Sequence, residues 1–272
     1  GNITHTQANN LNSVGATYIQ ATVTETTVAN LGTISVDNTS RTVLNKFTFT
    51  VSDTAATAAE LNTAQAKTSV AVDASNVANI EASPASDLTT LYTGTTPSGI
   101  DDADIAVNDT TISASDYNAI DGYTAGTATF AATTIEGAVA DISTALSGAA
   151  ANVVHESDIA VTVTDTTVSA SDLDTVEGLT TGLVTVSSNA TSISGTITDV
   201  VNSYGHNDAG TPTITGLDDL NITLVDDGAT QPTAANVVTA IGLTTGKVTA
   251  TVDTTEVNVG DFSSLSGTGH AI

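Results

Sequence analysis

The feature that most constrains this sequence is a repeat that runs through most of the chain. The segments TVSDTAATAAELNTAQ, AVNDTTISASDYNAIDG and TVTDTTVSASDLDTVEG can be placed in one register. In that register Asp53, Asp109 and Asp165 are evenly spaced along the chain. A sequence with a fixed period builds the same supersecondary unit several times, and each unit packs on its neighbours.

Two further copies extend the repeat to both ends of the sequence. A fourth copy begins at Asn221 with Thr230, Gln231 and Pro232 added ahead of its helix, and a shorter opening copy begins at Asn2. We therefore divide the chain into five units. They are a partial first repeat at 1–46, repeats at 47–100, 101–156 and 157–217, and a last repeat at 218–272.

Local signals predict a strand, a short helix, a second strand and a second short helix in each copy. Ile159 opens an alternating stretch with the β-branched residues typical of a strand. Ser169 and Asp172 have the spacing of a capping box, and Gly178 is placed to end that helix. The segments LVTV and TITDV that follow predict the second strand and helix.

These elements predict an α/β repeat protein. Short strand-helix-strand connections favour parallel pairing of the strands. We therefore expect a solenoid-like stack of strand-helix-strand-helix units with parallel strands, in which each unit buries an aliphatic face on the next. The alternative is an all-β sandwich array, which would follow if the SASDL segments were loops.

The charge excludes several classes of partner. Lys and Arg number 4 and Asp and Glu number 30, which gives a formal net charge of −26. Nucleic-acid binding needs clustered cations, so no nucleic-acid partner is expected. Since no apolar run approaches the roughly 18 residues that cross a bilayer, no membrane span is expected either.

Catalytic motifs are missing from the sequence. The four histidines occupy no repeated position, and neither HExxH nor GxSxG occurs. Cysteine is absent, which removes disulfides, thiolate metal sites and a cysteine nucleophile. We therefore expect that the protein is not an enzyme.

Many acidic residues fall at predicted helix starts, where a carboxylate binds free amides and favours the helix dipole. A second group, the strand-end aspartates, follows the first strand of each copy. For this group the sequence is consistent with two alternative roles. The aspartates could form Asx-type turns, or they could form a stacked column of cation ligands. The helix-start acids are Glu60, Asp87, Asp116, Asp141, Asp172, Asp199 and Asp261, and the strand-end aspartates are Asp53, Asp109, Asp165 and Asp226.

The loops between units are also acidic, and we call residues 101–104, 156–158 and 218–219 the acidic loops. Carboxylate and carbonyl oxygens suit calcium, which takes about 6–8 such ligands. Calcium sites and solvated loops are both consistent with this composition. The candidate metal ligands are Asp101, Asp102, Asp104, Asp109, Glu156, Asp158, Asp165, Asp218, Asp219, Asp226 and Asp227.

The segments VTDTTVSASDLDTVEGLTTGLVTVSSNATSISGTITDVVNSY and ITGLDDLNITLVDD resemble the Thr/Ala/Asp-rich repeats of giant bacterial cell-surface proteins and adhesins, of the cyanobacterial type. This resemblance implies an extracellular structural protein at the cell surface, as part of a filament, surface layer or adhesin stalk. From the end-to-end repetition we expect further copies of the chain, joined head to tail, as partners, and cell-surface glycans are a second expected partner. Calcium is the implied cofactor.

Two other functions remain open at this point. The segments AAELNTAQA and ASDYNAIDG resemble repeats of phage structural proteins, which implies a fibre or another virion appendage. A secreted carbohydrate-binding or hydrolytic module would normally carry exposed aromatic residues and a pair of carboxylates in a cleft. The 3% aromatic content disfavours that module.

Overall fold

The structure is a computed structural model that describes residues 1–12, 19–35, 45–94, 97–147, 152–226 and 231–252. Short helices and short strands alternate along these residues. The helices are α1 (His5–Asn12), α2 (Val28–Gly32), α3 (Ala58–Gln65), α4 (Ala85–Thr93), α5 (Ala114–Asp121), α6 (Val139–Ser147), α7 (Ala170–Glu177), α8 (Ile197–Asn207) and α9 (Ala234–Ile241).

The strands are all short. They are β1 (Asn2–Ile3), β2 (Gln20–Val23), β3 (Lys46–Thr48), β4 (Ala55–Thr57), β5 (Asn79–Ser83), β6 (Asp104–Val107), β7 (Thr111–Ser113), β8 (Ala128–Phe130), β9 (Thr134–Gly137), β10 (Val153–Val154), β11 (Ala160–Val163), β12 (Thr167–Ser169), β13 (Val184–Val186), β14 (Ser192–Gly195), β15 (Ile214–Thr215), β16 (Asn221–Leu224) and β17 (Val248–Ala250).

Among the described residues the strands form four sheets, and every pairing between these strands is parallel. The strand orders are β1-β2-β3, β10-β8-β6-β5-β4, β15-β13-β11-β9-β7 and β12-β14-β16-β17. Asn2 pairs with Thr22 in the first sheet, and Val184 pairs with Ile214 in the third. The α/β class and the parallel pairing are therefore confirmed. The all-β sandwich is wrong because the SASDY and SASDL segments enter helices α5 and α7.

We call one passage of the chain from a strand to the strand paired with it a layer. One copy of the repeat supplies two layers, because Ala56 pairs with Ile80 and Ile105 pairs with Ala128, each within a single copy. Equivalent strands of successive copies lie in different sheets. Strand β4 is an outer strand of the second sheet, β7 of the third and β12 of the fourth.

Each complete copy holds more strands than the sequence predicted. Within 101–147 the order is β6, β7, α5, β8, β9 and α6, so a second short strand precedes each helix. In β7 and β12 the central residues Ile112 and Val168 are buried. The serines that follow them, Ser113 and Ser169, end the strand directly before the helix. One short segment therefore serves as a core strand and as the start of a helix.

The core consists mainly of aliphatic side chains that alternate along strands and recur on one face of each helix. In β11, Val161 and Val163 are buried. In α7, Leu173 and Val176 are buried on the same face, as their spacing predicted. Helices this short are marginal in isolation, so the burial of one face by each element explains why they are stable here.

Local caps start several helices as predicted. The Thr57 hydroxyl accepts the Glu60 amide at 3.2 Å, and a Glu60 carboxylate oxygen accepts the Thr57 amide at 3.0 Å, which completes a capping box. Thr196 accepts the Asp199 amide in the same way. The helix-start acids other than Asp261 lie in the first turns of α3 to α8, and Asp261 lies outside the described residues.

The chain divides into two compact units. The first takes in the described parts of 1–110, 116–132 and 149–155, and the second those of 111–115, 133–148 and 156–272. The first two sheets belong to the first unit, and the third and fourth sheets belong to the second. The division into five repeats follows the sequence period and stays a prediction.

Candidate functional site

Three strand-end aspartates bind a helix of the preceding layer. Each carboxylate accepts a hydrogen bond from the first amide of a helix that lies earlier in the chain. Such a carboxylate satisfies a free amide and interacts favourably with the helix dipole. The bonds run from the Val28 amide to Asp53 at 2.8 Å, from the Ala85 amide to Asp109 at 2.7 Å, and from the Val139 amide to Asp165 at 2.7 Å.

Helix α4 shows why this bond between layers matters. Its own N-cap residue is Pro84, which makes no side-chain cap hydrogen bond. The Asp109 carboxylate therefore supplies the side-chain acceptor that the local sequence lacks. In α3 the same position is served by Ser83, whose hydroxyl accepts the Ala58 amide at 2.9 Å.

The strand-end aspartates follow strands of different sheets. Asp109 follows β6, Asp165 follows β11 and Asp226 follows β16, and these three strands belong to three different sheets. Their even spacing in the sequence therefore reflects the same local role in successive copies.

The first acidic loop precedes β6. Asp101 and Asp102 are exposed there, and Asp104 lies in the strand itself. One carboxylate oxygen of Asp104 accepts the Thr127 amide of the next layer at 2.7 Å. Hydrogen bonding thus occupies Asp104 and leaves the other two side chains exposed.

The other two acidic loops are also largely exposed. Glu156 and Asp158 lie exposed before β11. In the last acidic loop, Asp218 accepts the side-chain amide of Asn207 at 2.7 Å, and Asp219 accepts the Thr245 hydroxyl at 2.7 Å. Asp226 is exposed after β16, and Asp227 lies outside the described residues.

The candidate ligands form no metal cluster in the described part of the chain. There, no group of three or more His, Asp or Glu side chains is arranged to hold a metal ion. The three acidic loops precede β6, β11 and β16, which belong to three different sheets. Calcium binding therefore stays a prediction from composition.

Sequence reasoning missed a set of buried or half-buried threonines in Thr-x-Gly turns. In the first of these turns the Thr124 hydroxyl donates to the Ala103 carbonyl at 2.6 Å and accepts the Gly126 amide at 2.8 Å. The recurrence of TAG, TTG and TTG before a strand was the available signal. Thr180 and Thr244 repeat both bonds, with the Ile159 and Leu220 carbonyls and the Gly182 and Gly246 amides.

A polar cluster joins α7 and α8. The fully buried Ser203 donates its hydroxyl to Asp174 at 2.7 Å, and Glu177 lies 3.4 Å from the ring nitrogen of His206. Burial raises the pKa of Asp174, although the Ser203 hydrogen bond and the nearby His206 partly offset that increase. The serine bonds to the aspartate and not to the histidine, so the cluster lacks the geometry of an activated nucleophile.

The second unit also contains an open pocket of about 370 Å³ beside the last acidic loop. Exposed carboxylates of Asp218 and Asp219 and hydroxyls of Ser187 and Ser188 lie around it. The remaining lining residues are Val186, Ala190, Gly216 and Leu220.

The chain matches no protein family model, no curated protein and no solved structure. Among the described residues no helix is both long enough and apolar enough to cross a membrane.

Proposed function

We propose that the chain is a solenoid that serves as an extracellular structural segment of a filament, surface layer or adhesin stalk, and that it associates with further copies of itself. The observation that carries the proposal is the uniform parallel pairing of strands from one layer to the next. In such an arrangement each layer is stabilised by its nearest neighbours, and the array can continue by adding layers.

Three kinds of contact recur between layers in the described part of the chain, and all three are chemically simple. Strands pair through backbone hydrogen bonds, Thr-x-Gly turns bond to the preceding layer, and strand-end aspartates cap the preceding helix. Another copy of the chain carries the same donors and acceptors. A head-to-tail contact that does not close into a ring yields a filament.

Strand β17 is the element on which this contact can be tested. Among the described residues it pairs with β16 alone. The Ile222 amide donates to the Lys247 carbonyl at 2.8 Å, so the alternate residues Val248 and Ala250 direct their backbone groups away from β16. A parallel edge that has no partner among the described residues is a template for another strand.

Sedimentation velocity and electron microscopy of the whole chain, over a range of concentrations, test self-association. We expect the wild-type protein to form elongated assemblies that grow with concentration. Ala250→Pro removes one outward amide and should reduce assembly, whereas Ala250→Val keeps that amide and is the matched control. Circular dichroism should show the same fold for all three proteins.

A compact monomer at every concentration would contradict self-association. Equal assembly by the two Ala250 variants would show that the β17 edge is not the contact. A discrete trimer that does not elongate would favour the virion fibre instead.

Calcium stabilisation is part of the proposal because of the charge and the exposed acidic loops. A cation that binds only the folded state raises its stability. We expect calcium to raise the melting temperature more than sodium chloride at equal ionic strength, and a chelator should reverse the gain. Equal effects of the two salts would remove specific calcium sites from the proposal.

Location and glycan binding require separate measurements. If the chain lies outside the cell, added protease should cleave it on intact source cells, while a cytoplasmic marker stays whole. Binding of the purified protein to cell-surface glycans on an array would support an adhesin role, and its absence would favour a stalk or layer.

A further inference from the structure

Two polar atoms are buried without a partner at the end of α5. The side chain of Tyr117 is 1% exposed, and its hydroxyl has no hydrogen-bond partner among the described residues. One carboxylate oxygen of Asp121 is buried without a partner there as well. The two residues are one helical turn apart, so their side chains lie on the same face of the helix.

The equivalent residues of the preceding copy make direct bonds. In the repeat register Leu61 and Gln65 correspond to Tyr117 and Asp121. The Gln65 amide group donates to the Val70 carbonyl at 3.1 Å, and its oxygen accepts the Val72 amide at 2.9 Å. Gln65 therefore closes the turn after its helix with its own side chain.

This arrangement changes in the next copy. Asp121 is one methylene shorter than Gln65, so its oxygen reaches less far into the turn. Tyr117 adds a hydroxyl where Leu61 has a methyl group. The result is one donor and one acceptor in a region where the preceding copy has a continuous set of side-chain bonds.

Aromatic rings pack against the Tyr117 side chain. The Tyr117 ring stacks on Phe130 with 3.9 Å between centroids, and His155 contacts it edge-on at 6.1 Å. Burial, together with the Asp121 charge, raises the pKa of Tyr117, so its hydroxyl remains a donor at neutral pH. An unpaired donor and an unpaired acceptor in such a place are both costly.

We propose that an internal water molecule bridges the Tyr117 hydroxyl and the Asp121 carboxylate. The water accepts from the tyrosine and donates to the aspartate, which satisfies both buried atoms at once. In the repeat register the Thr124 carbonyl corresponds to the Thr68 carbonyl, which accepts the Gln65 amide group at 3.4 Å, so we expect the water to donate its second hydrogen there. Buried waters usually make two to four such bonds.

A double-mutant cycle on the full chain tests the bridge. We expect the effects of Tyr117→Phe and Asp121→Ala on the unfolding equilibrium constant to be non-additive. The double variant should differ from the product of the two single effects by about fivefold or more. Asp121→Asn keeps an acceptor oxygen and should retain most of the coupling. Tyr204→Phe is the matched control, because that hydroxyl bonds directly to the Leu217 carbonyl at 2.8 Å and should act independently of Asp121.

Additive effects of the two substitutions, with Tyr117→Phe neutral or stabilising, would overturn the proposal. A crystal structure that resolves ordered water gives a second readout, which does not depend on whether the variants fold. Density for a water within hydrogen-bond distance of both oxygens would support the bridge. A direct hydrogen bond between the two side chains, or an empty space there, would refute it.

Discussion

The Asp109 carboxylate shows how a single residue can join two layers. It follows a strand of its own layer and accepts the first amide of α4 in the layer before. Because one hydrogen bond serves both purposes, its loss affects the helix start and the contact between layers together.

We predict that Asp109→Ala lowers the free energy of unfolding by about 1–2 kcal/mol, as loss of an N-cap acceptor does elsewhere. Asp109→Asn keeps an oxygen acceptor and should cost less. Asp102→Ala removes the same charge from an exposed position and is the control. Urea denaturation measures all three, and equal stability of the two alanine variants would contradict the capping role.

The Thr-x-Gly turn depends on a hydroxyl that both donates and accepts. Thr124→Val has nearly the same shape but leaves the Ala103 carbonyl and the Gly126 amide without that partner. We predict a loss of about 1–3 kcal/mol of stability. Thr124→Ser retains the hydroxyl and should lose less, so a serine variant as unstable as the valine variant would count against this explanation.

The partly buried Asp174 should make stability depend on pH. Because burial raises its pKa, the folded state holds the proton more tightly than the unfolded state. At neutral pH the ionised Asp174 therefore lowers the free energy of unfolding. This destabilisation disappears as the pH falls through the raised pKa of the folded state towards the ordinary pKa of an aspartate. Asp174→Asn should stabilise the protein at neutral pH and have little effect in strong acid. Urea midpoints across that range measure the difference, and destabilisation at neutral pH would show that attraction to His206 dominates.

At the scale of elements, the sequence predicted helices better than strands. The capping residues of α3 and α8 and the buried face of α7 depend on neighbours within one turn, so local spacing indicated them. The strands β7 and β12 were missed because such short segments provide too few alternations to reveal a period. Which sheet a strand joins depends on a partner in another layer, so local spacing did not predict the pairing of β12 with β14 or of β7 with β9.

The candidate site shows the same limit. The recurrence of Asp109 and Asp165 at strand ends was visible in the sequence, and their position after β6 and β11 is confirmed. Their partners, the backbone amides of Ala85 and Val139, could not be predicted from local spacing. Every residue except proline has a backbone amide, so the sequence does not mark which amide a distant carboxylate will bind. A recurring carboxylate was therefore open to interpretation as a metal ligand.

The turn between α7 and β13 brings two backbones together at Gly182. A Cβ atom there would lie 2.4 Å from the Asp158 carbonyl oxygen, a contact that requires the two layers to separate. We predict that Gly182→Ala destabilises the protein. Gly205→Ala is the matched control, since nothing lies within 4 Å of its Cβ position and alanine favours the interior of α8 by up to about 1 kcal/mol. Thermal melting should shift in opposite directions for the two variants.

At the scale of the whole molecule, the net charge of −26 opposes folding by self-repulsion. Lys and Arg are too few to neutralise it. We predict that the melting temperature rises when sodium chloride increases from about 0.01 M to about 0.15 M, because the screening length shortens from roughly 30 Å to roughly 8 Å. An uncharged osmolyte at equal osmolality is the control. A melting temperature independent of salt would mean that the carboxylates are already neutralised by bound partners.

The direction of the helix caps gives the layered chain a mechanical polarity. In the bonds made by Asp53, Ser83, Asp109 and Asp165, the later residue holds the start of an earlier helix. A pulling force that peels layers from the carboxyl-terminal side therefore breaks these bonds at the starts of α6, α4, α3 and α2 before it reaches the helices themselves. Peeling from the amino-terminal side leaves the remaining helices with their caps. A chain of this design should resist tension better from one end than from the other.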